Sequence, residues 1–127
     1  REKLLVRMSE PNLCNKKTNI ENKYVERYVW VEADKNEFHW HKNSHHTLGS
    51  KGVHMHEHVT DVVQLSPQSF SLVLREKDKL PENTFNTGVF GGNFPTSIDI
   101  FIDDAEYSQQ FAEILREMLG CEGAFTV

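Results

Sequence analysis

Seven histidines stand at positions 39, 41, 45, 46, 54, 56 and 58 of a 127-residue chain, and imidazole is the side chain with the widest chemical repertoire near neutral pH. In the strand expected over this stretch, His54, His56 and His58 project from one face at alternate positions. A neighbouring strand can bring His39 and His41 toward them. Three imidazoles on one face are a zinc-ligand set. No Asp, Glu or Cys stands at an obvious ligand spacing beside them, however, and the opposite faces carry Phe38, Trp40, Val53 and Met55. The plainer expectation is a polar, solvent-facing surface with no metal and no cofactor. His54, His56 and His58 remain the weak metal candidates, and a pH-responsive patch is the third reading.

Other residue types with chemical potential are less organised. Gly88, Gly91 and Gly92 are not followed by Lys-Ser/Thr and open no helix, so they make a turn or bulge rather than a phosphate cradle. Ser, His and Asp are plentiful, but none sits in a Gly-x-Ser-x-Gly nucleophile elbow, and no catalytic residue is expected. Lys16, Lys17, Lys23 and Arg27 form a loose cationic group capable of meeting an anion. Tyr24, Tyr28 and Trp30 share one face of a strand, and rigid aromatics of this kind anchor protein contacts.

Charge narrows the partners. The net charge is -5, with ten Lys+Arg against eight Asp+Glu over residues 1–60 and four against eleven over 61–127. An acidic balance argues against a nucleic-acid binder and against non-specific attraction to anionic lipid. Cys14 and Cys121 are too few for a disulfide framework, which fits free thiols in a reducing compartment. No run of 18 or more apolar residues is present. The sequence opens at Arg1 without an initiator Met. The expectation drawn from this is a longer protein whose N-terminal segment, with any lipidation signal, precedes the part given.

The elements that must position these residues are mostly strands. The one helical signal lies at 103–120, where Tyr107, Phe111, Ile114, Leu115 and Met118 fall on a single stripe of 3.6-residue period. Asp103 or Asp104 caps its start, and Gly120 is the expected left-handed stop. Before it, Leu4, Leu5, Val6 and Met8 read as a first strand within Glu2 to Met8, and Ser9 to Asn22 reads as a long polar loop. Lys23 to Glu32 alternates clearly, and with a turn at 33–36 and Glu37 to Lys42 it makes a hairpin. Val53 to Leu65 reads as one strand bulged near Glu57. Phe70 to Leu74, a weak strand with a glycine loop over 84–96, and Ser97 to Ile102 complete seven strands within 3–102. One domain spans 1–127.

This order resembles a pleckstrin-homology (PH) domain. KYVERYVWV is similar to the family's second strand, EFHWHK to its aromatic third strand ending in Lys, and KGVHMHEHVTDVV to the Lys-Gly-aliphatic opening of the fourth. FAEILREML is similar to the C-terminal helix, with Phe111 where the family usually has Trp. The resemblance implies a mainly β fold, a seven-stranded partly open barrel of two near-orthogonal antiparallel sheets capped by a C-terminal α-helix.

The departures from the family bear on function. Phosphoinositide-binding members carry Lys-x-Arg on the second strand, because several cations must converge on a multiply charged headgroup. Arg27 matches the Arg, but Val25 stands in place of the Lys and Glu26 lies between them, so the pocket reads as degraded. The resemblance then implies a non-catalytic adaptor that docks a protein through Tyr24, Tyr28 and Trp30, with weak or no phosphoinositide binding through Lys16, Lys17, Lys23 and Arg27. Within the superfamily the chain is similar to the apicomplexan inner-membrane-complex sub-compartment proteins. That narrower resemblance implies a location on the cytoplasmic face of a membrane, reached through a lipidated N-terminal segment. The alternatives are a phosphoinositide-binding PH domain and a His-cluster metal-binding protein.

Overall fold

The computed structural model of the protein describes residues 2–18, 23–43, 51–76 and 96–120. His45, His46, Cys121 and nearly all of the weak strand and glycine loop expected over 84–96 lie outside the described residues. The strands are β1 (Asn12–Lys17), β2 (Tyr24–Glu32), β3 (Glu37–His41), β4 (Lys51–His54), β5 (Val59–Ser66), β6 (Ser69–Leu74) and β7 (Ser97–Phe101). All neighbours run antiparallel in the order β4-β3-β2-β1-β7-β6-β5. Hydrogen bonds link them into one sheet that does not close. Two wings, β4-β3-β2-β1 and β7-β6-β5, meet through only two residue pairs, Asn15 with Phe101 and Lys16 with Ile100.

Among the described residues three α-helices accompany the sheet: α1 (Glu2–Ser9), α2 (Met55–His58) and α3 (Ala105–Gly120). The first corrects the strand expected at Glu2 to Met8. A short apolar run is ambiguous between strand and helix. Leu4, Leu5 and Met8 have helical spacing, Met8 is fully buried, and Leu4 and Leu5 pack partly against the core. Asn12 Nδ2 donates to Arg7 O at 3.0 Å and Glu10 O at 2.7 Å, satisfying carbonyls past the helix end. The polar stretch expected as a loop contains β1, whose six residues all pair with β2. Its inward side chains are Cys14 and Lys16, so its alternation is hidden from a reading based on apolar residues. Pairing and burial here override weak strand propensity.

The strand expected over Val53 to Leu65 is divided. Instead of a bulge near Glu57, the single helical turn α2 separates β4 from β5. Its two ends are held by histidines: His54 Nδ1 accepts from Glu57 N at 3.3 Å, and the His54 amide donates to His58 Nδ1 at 2.6 Å.

Helix α3 covers the inner face of the sheet with the expected stripe, every member of which is buried. Asp104 caps its first turn by accepting from Tyr107 N at 3.0 Å. The helix runs through Gly120 rather than stopping on a left-handed residue there. Phe111 bridges both wings: its ring stacks on Phe70 of β6 at 5.6 Å between centroids and meets Phe38 of β3 edge-on at 6.1 Å.

Candidate functional site

Alternation along β2 turns Val29 and Val31 into the core, with Arg27 on the same side, and leaves Tyr24, Glu26, Tyr28 and Trp30 on the opposite face. That face does not present its three aromatics equally. Trp30 is 1 % exposed and its indole lies parallel to the His39 imidazole at 5.6 Å, so it is not available as the interaction anchor expected of it. Tyr28 is half-buried. Tyr24 alone is open, at 44 %.

Strand pairing gives Tyr24 other neighbours. Lys17 lies directly across from it on β1, with Nζ 5.9 Å from the ring centroid, and Phe101 of β7 meets it edge-on at 6.4 Å. Leu13, opposite Tyr28, is 55 % exposed on the same face. Leu13, Tyr24 and Phe101 therefore form an apolar patch over the junction of the two wings. A polar β1 hid Leu13 from sequence reasoning; its period-2 relation to Asn15 and Lys17 was the available signal. Beside the patch opens a cleft of about 320 Å³ lined by Leu13, Asn15, Glu26, Phe101, Asp103 and Asp104, with Arg7, Cys14 and Tyr107 among its other walls. Arg7 reaches over from α1, its guanidinium carbon 3.4 Å from the Tyr107 ring centroid and its Nη2 3.9 Å from Asp104. Burial pushes the Tyr107 phenol up to about 12 against the opposing Arg7 charge, so it stays neutral at any physiological pH.

The expected cationic group is split. Lys16 points inward with Cys14 and is 8 % exposed, its Nζ 4.9 Å from the Trp40 ring centroid. Burial first, and then the neighbouring Arg27 and Lys51 charges, lower its pKa to about 8 against the pull of Asp99. Lys17 sits on the other face of the sheet, and exposed Lys23 opens the approach to β2. Arg27 Nη1 donates to Glu26 O at 2.7 Å. Lys16, Arg27 and Lys51 thus share one electrostatic neighbourhood at the inner side of the sheet, and Lys51 was not anticipated. Cys14, beside Lys16, has its thiol pushed up to about 12 by burial, with Lys16 opposing, and is unreactive at neutral pH.

The histidines are distributed differently from the expected strand face. His54, His56 and His58 belong to the α2 turn and its flank, and the Nδ1 atoms of His54 and His58 are occupied by backbone donors. His58 is buried, and burial lowers its pKa. His54 pairs with Glu37 across β3 and β4, and His39, two residues along β3, pairs with Gly52, with Nε2 2.9 Å from both Glu32 Oε2 and Glu37 Oε1.

Neither a protein-family model nor a curated protein sequence matches this chain. Among solved structures, inner membrane complex sub-compartment protein 3 from Toxoplasma gondii superposes with a TM-score of 0.61 at 11 % identity, over 93 % of this chain and 81 % of that one. The PH domain from TgAPH superposes with a TM-score of 0.53 at 12 % identity, over 95 % of this chain and 94 % of that one. The fold is PH-like: mainly β, an open seven-stranded antiparallel sheet with a C-terminal helix. A fold of this kind is typically a non-catalytic module.

Proposed function

We propose that this protein is a non-catalytic PH-like adaptor that docks a protein partner at the junction of its two wings. The observation that carries the reading is the patch of exposed Leu13 and Tyr24 with half-buried Phe101 beside the cleft between β1 and the start of α3. An aromatic and an aliphatic side chain held open on a rigid sheet, next to a concave feature with polar walls, have the make-up of a contact centre with a polar rim. The carboxylates of Glu26, Asp103 and Asp104 favour a partner segment carrying Lys or Arg. Leu13→Ser and Tyr24→Ala each change exposed positions, so both should leave the thermal midpoint nearly unchanged. In cells, proximity labelling with the wild type and the two variants compares the proteins recovered. Loss of the same small set from both variants supports the patch; an unchanged set from both refutes it.

The adaptor reading extends to location. The structural neighbour named for the inner membrane complex, together with the PH-like fold, supports a location at that membrane system, and we propose that the protein sits on its cytoplasmic face, held by a lipidated N-terminal segment. Fractionation of the full-length protein with and without hydroxylamine tests the anchor, since a thioester-linked acyl chain is cleaved and the protein moves to the soluble fraction.

A second reading, binding of an anionic headgroup, is favoured by one observation: Lys16, Arg27 and Lys51 lie close enough to depress the Lys16 pKa. Glu26 and the inward burial of Lys16 count against it. Titration with soluble inositol phosphates decides, with saturable binding abolished by Arg27→Ala as the outcome that would replace the adaptor reading.

A further inference from the structure

The sheet face that carries Trp30 holds a second constellation, built from the last pair of β2 and β3. Glu32 and Glu37 face each other across the hairpin, whose turn is set by Asn36 in the left-handed region at φ 56°. His39 lies two residues beyond Glu37 on the same face. Its Nε2 is 2.9 Å from Glu32 Oε2 and 2.9 Å from Glu37 Oε1. One nitrogen and two carboxylate oxygens therefore converge within 4.8 Å of one another. Ligand atoms at about 2.0–2.2 Å around a tetrahedral zinc ion are themselves separated by a little over 3 Å. The three donors already stand near that spacing.

The imidazole is fixed in place independently of the carboxylates. Trp30 stacks on one side of the ring at an interplanar angle of 10°. Gly52 of β4 pairs with His39, and a Cβ at Gly52 would lie 2.8 Å from His39 Nδ1. The ring occupies the space that any other residue at 52 would fill. Lys35 engages Glu32 through the other oxygen, Oε1, at 3.4 Å, which leaves Oε2 directed at His39.

We propose that Glu32, Glu37 and His39 form a divalent-cation site of the zinc class, open to solvent for its remaining ligands. Binding needs the Nε2 lone pair, so the proton that Nε2 shares with the two carboxylates moves to Nδ1 and the Nδ1–H tautomer becomes the ligand form. His39 Nδ1 has no hydrogen-bond partner. A ligating histidine whose other nitrogen lacks an acceptor binds about 10- to 100-fold more weakly than one that has it. The site is accordingly of moderate affinity, an exchangeable cation site rather than a structural one. This set shares no residue with the His54, His56 and His58 cluster, although His54 lies directly across from Glu37 on β4.

Zinc chloride titrated into the purified, tag-free protein tests the site by calorimetry, with Trp fluorescence as a second readout because Trp30 stacks on the ligand ring. One equivalent is expected to bind with a change in Trp emission. His39→Gln and Glu37→Gln should each weaken binding at least about tenfold, and His54→Gln and His56→Gln should change it less than about twofold. Gly52→Ala removes no ligand but displaces the ring, and its affinity should fall with the fold confirmed by circular dichroism. Absence of zinc binding overturns the proposal. So does binding that survives His39→Gln and Glu37→Gln, or that is lost in His54→Gln.

Discussion

His58 sits at the end of the α2 turn with Nδ1 accepting the His54 amide, so protonation must disturb a buried, committed ring. Burial, the largest influence, lowers its pKa from the ordinary 6.5, and nearby His54 lowers it too, while Glu57 and Glu37 raise it. A histidine with a depressed folded pKa binds fewer protons than the unfolded chain in the window between the two values. Its favourable contribution is complete above about 6.5 and is lost as pH falls through that value toward the folded pKa. The wild type's stability to urea should therefore decline as pH falls below about 6.5. His58→Asn, which retains an acceptor for the His54 amide, should flatten that decline. Lys16, also a base lowered by burial, follows the same sign at higher pH. Its pKa falls to about 8, chiefly through burial, so at pH 7 the folded state is obliged to hold a charge it disfavours. Stability should rise as pH increases from about 8 toward 10, and Lys16→Met should raise stability at pH 7 by roughly 1–2 kcal/mol while removing that rise. A Met variant that is less stable than the wild type would mean that the contact with Trp40 outweighs desolvation.

At the scale of elements, α3 and β5 are the informative pair. Phe111 touches aromatic rings on both wings, and truncating it to Ala should cost about 3–5 kcal/mol, read as a lower denaturant midpoint. Strand β5 ends the sheet order, and an end strand offers unpaired backbone groups to other chains. Here Val62 is satisfied on that side: its amide donates to Asp61 Oδ1 at 2.8 Å, and its carbonyl accepts from Arg116 Nη2 at 3.2 Å. Arg116→Ala uncovers the carbonyl beside exposed Val63 and Leu65. Light scattering after size exclusion should then detect concentration-dependent association absent from the wild type. Arg116 falls near the helix's negative end, where a cation suits the dipole, but its reach across to Val62 depends on tertiary placement that no local pattern encodes.

For the whole molecule, what was legible followed from periodicity. The α3 stripe and the alternation of β2 and β3 were clear because apolar residues recur at 3.6 or 2 positions, and with a C-terminal helix after strands they implied the PH-like architecture. The first seventeen residues were misread because α1 is barely two turns long and β1 buries Cys14 and Lys16 in place of aliphatic residues. The α2 turn escaped because its capping atoms are imidazole nitrogens rather than the usual Ser, Thr, Asp or Asn. On the outer face of β2, Tyr24 is open as expected, Trp30 was assigned to the right face but is buried there, and exposed Leu13 across from Tyr28 went unseen. The basic residues could be counted, but which side of the sheet each occupies follows from pairing register.

The two-pair seam between Asn15–Phe101 and Lys16–Ile100 joins the strand nearest the N-terminus to the last strand made. During synthesis the left wing can collapse as a meander once β4 has emerged, yet its β1 border stays unzipped until the ribosome has released Phe101. The slow event in folding is then closure of a loop of some eighty-odd residues, an entropic toll that grows with the logarithm of loop length and weighs on the rate more than on the equilibrium. Stopped-flow refolding should run in milliseconds to seconds, and a circular permutant opened between β4 and β5, in which β7 leads through α3 and α1 into β1, should refold faster at nearly unchanged stability.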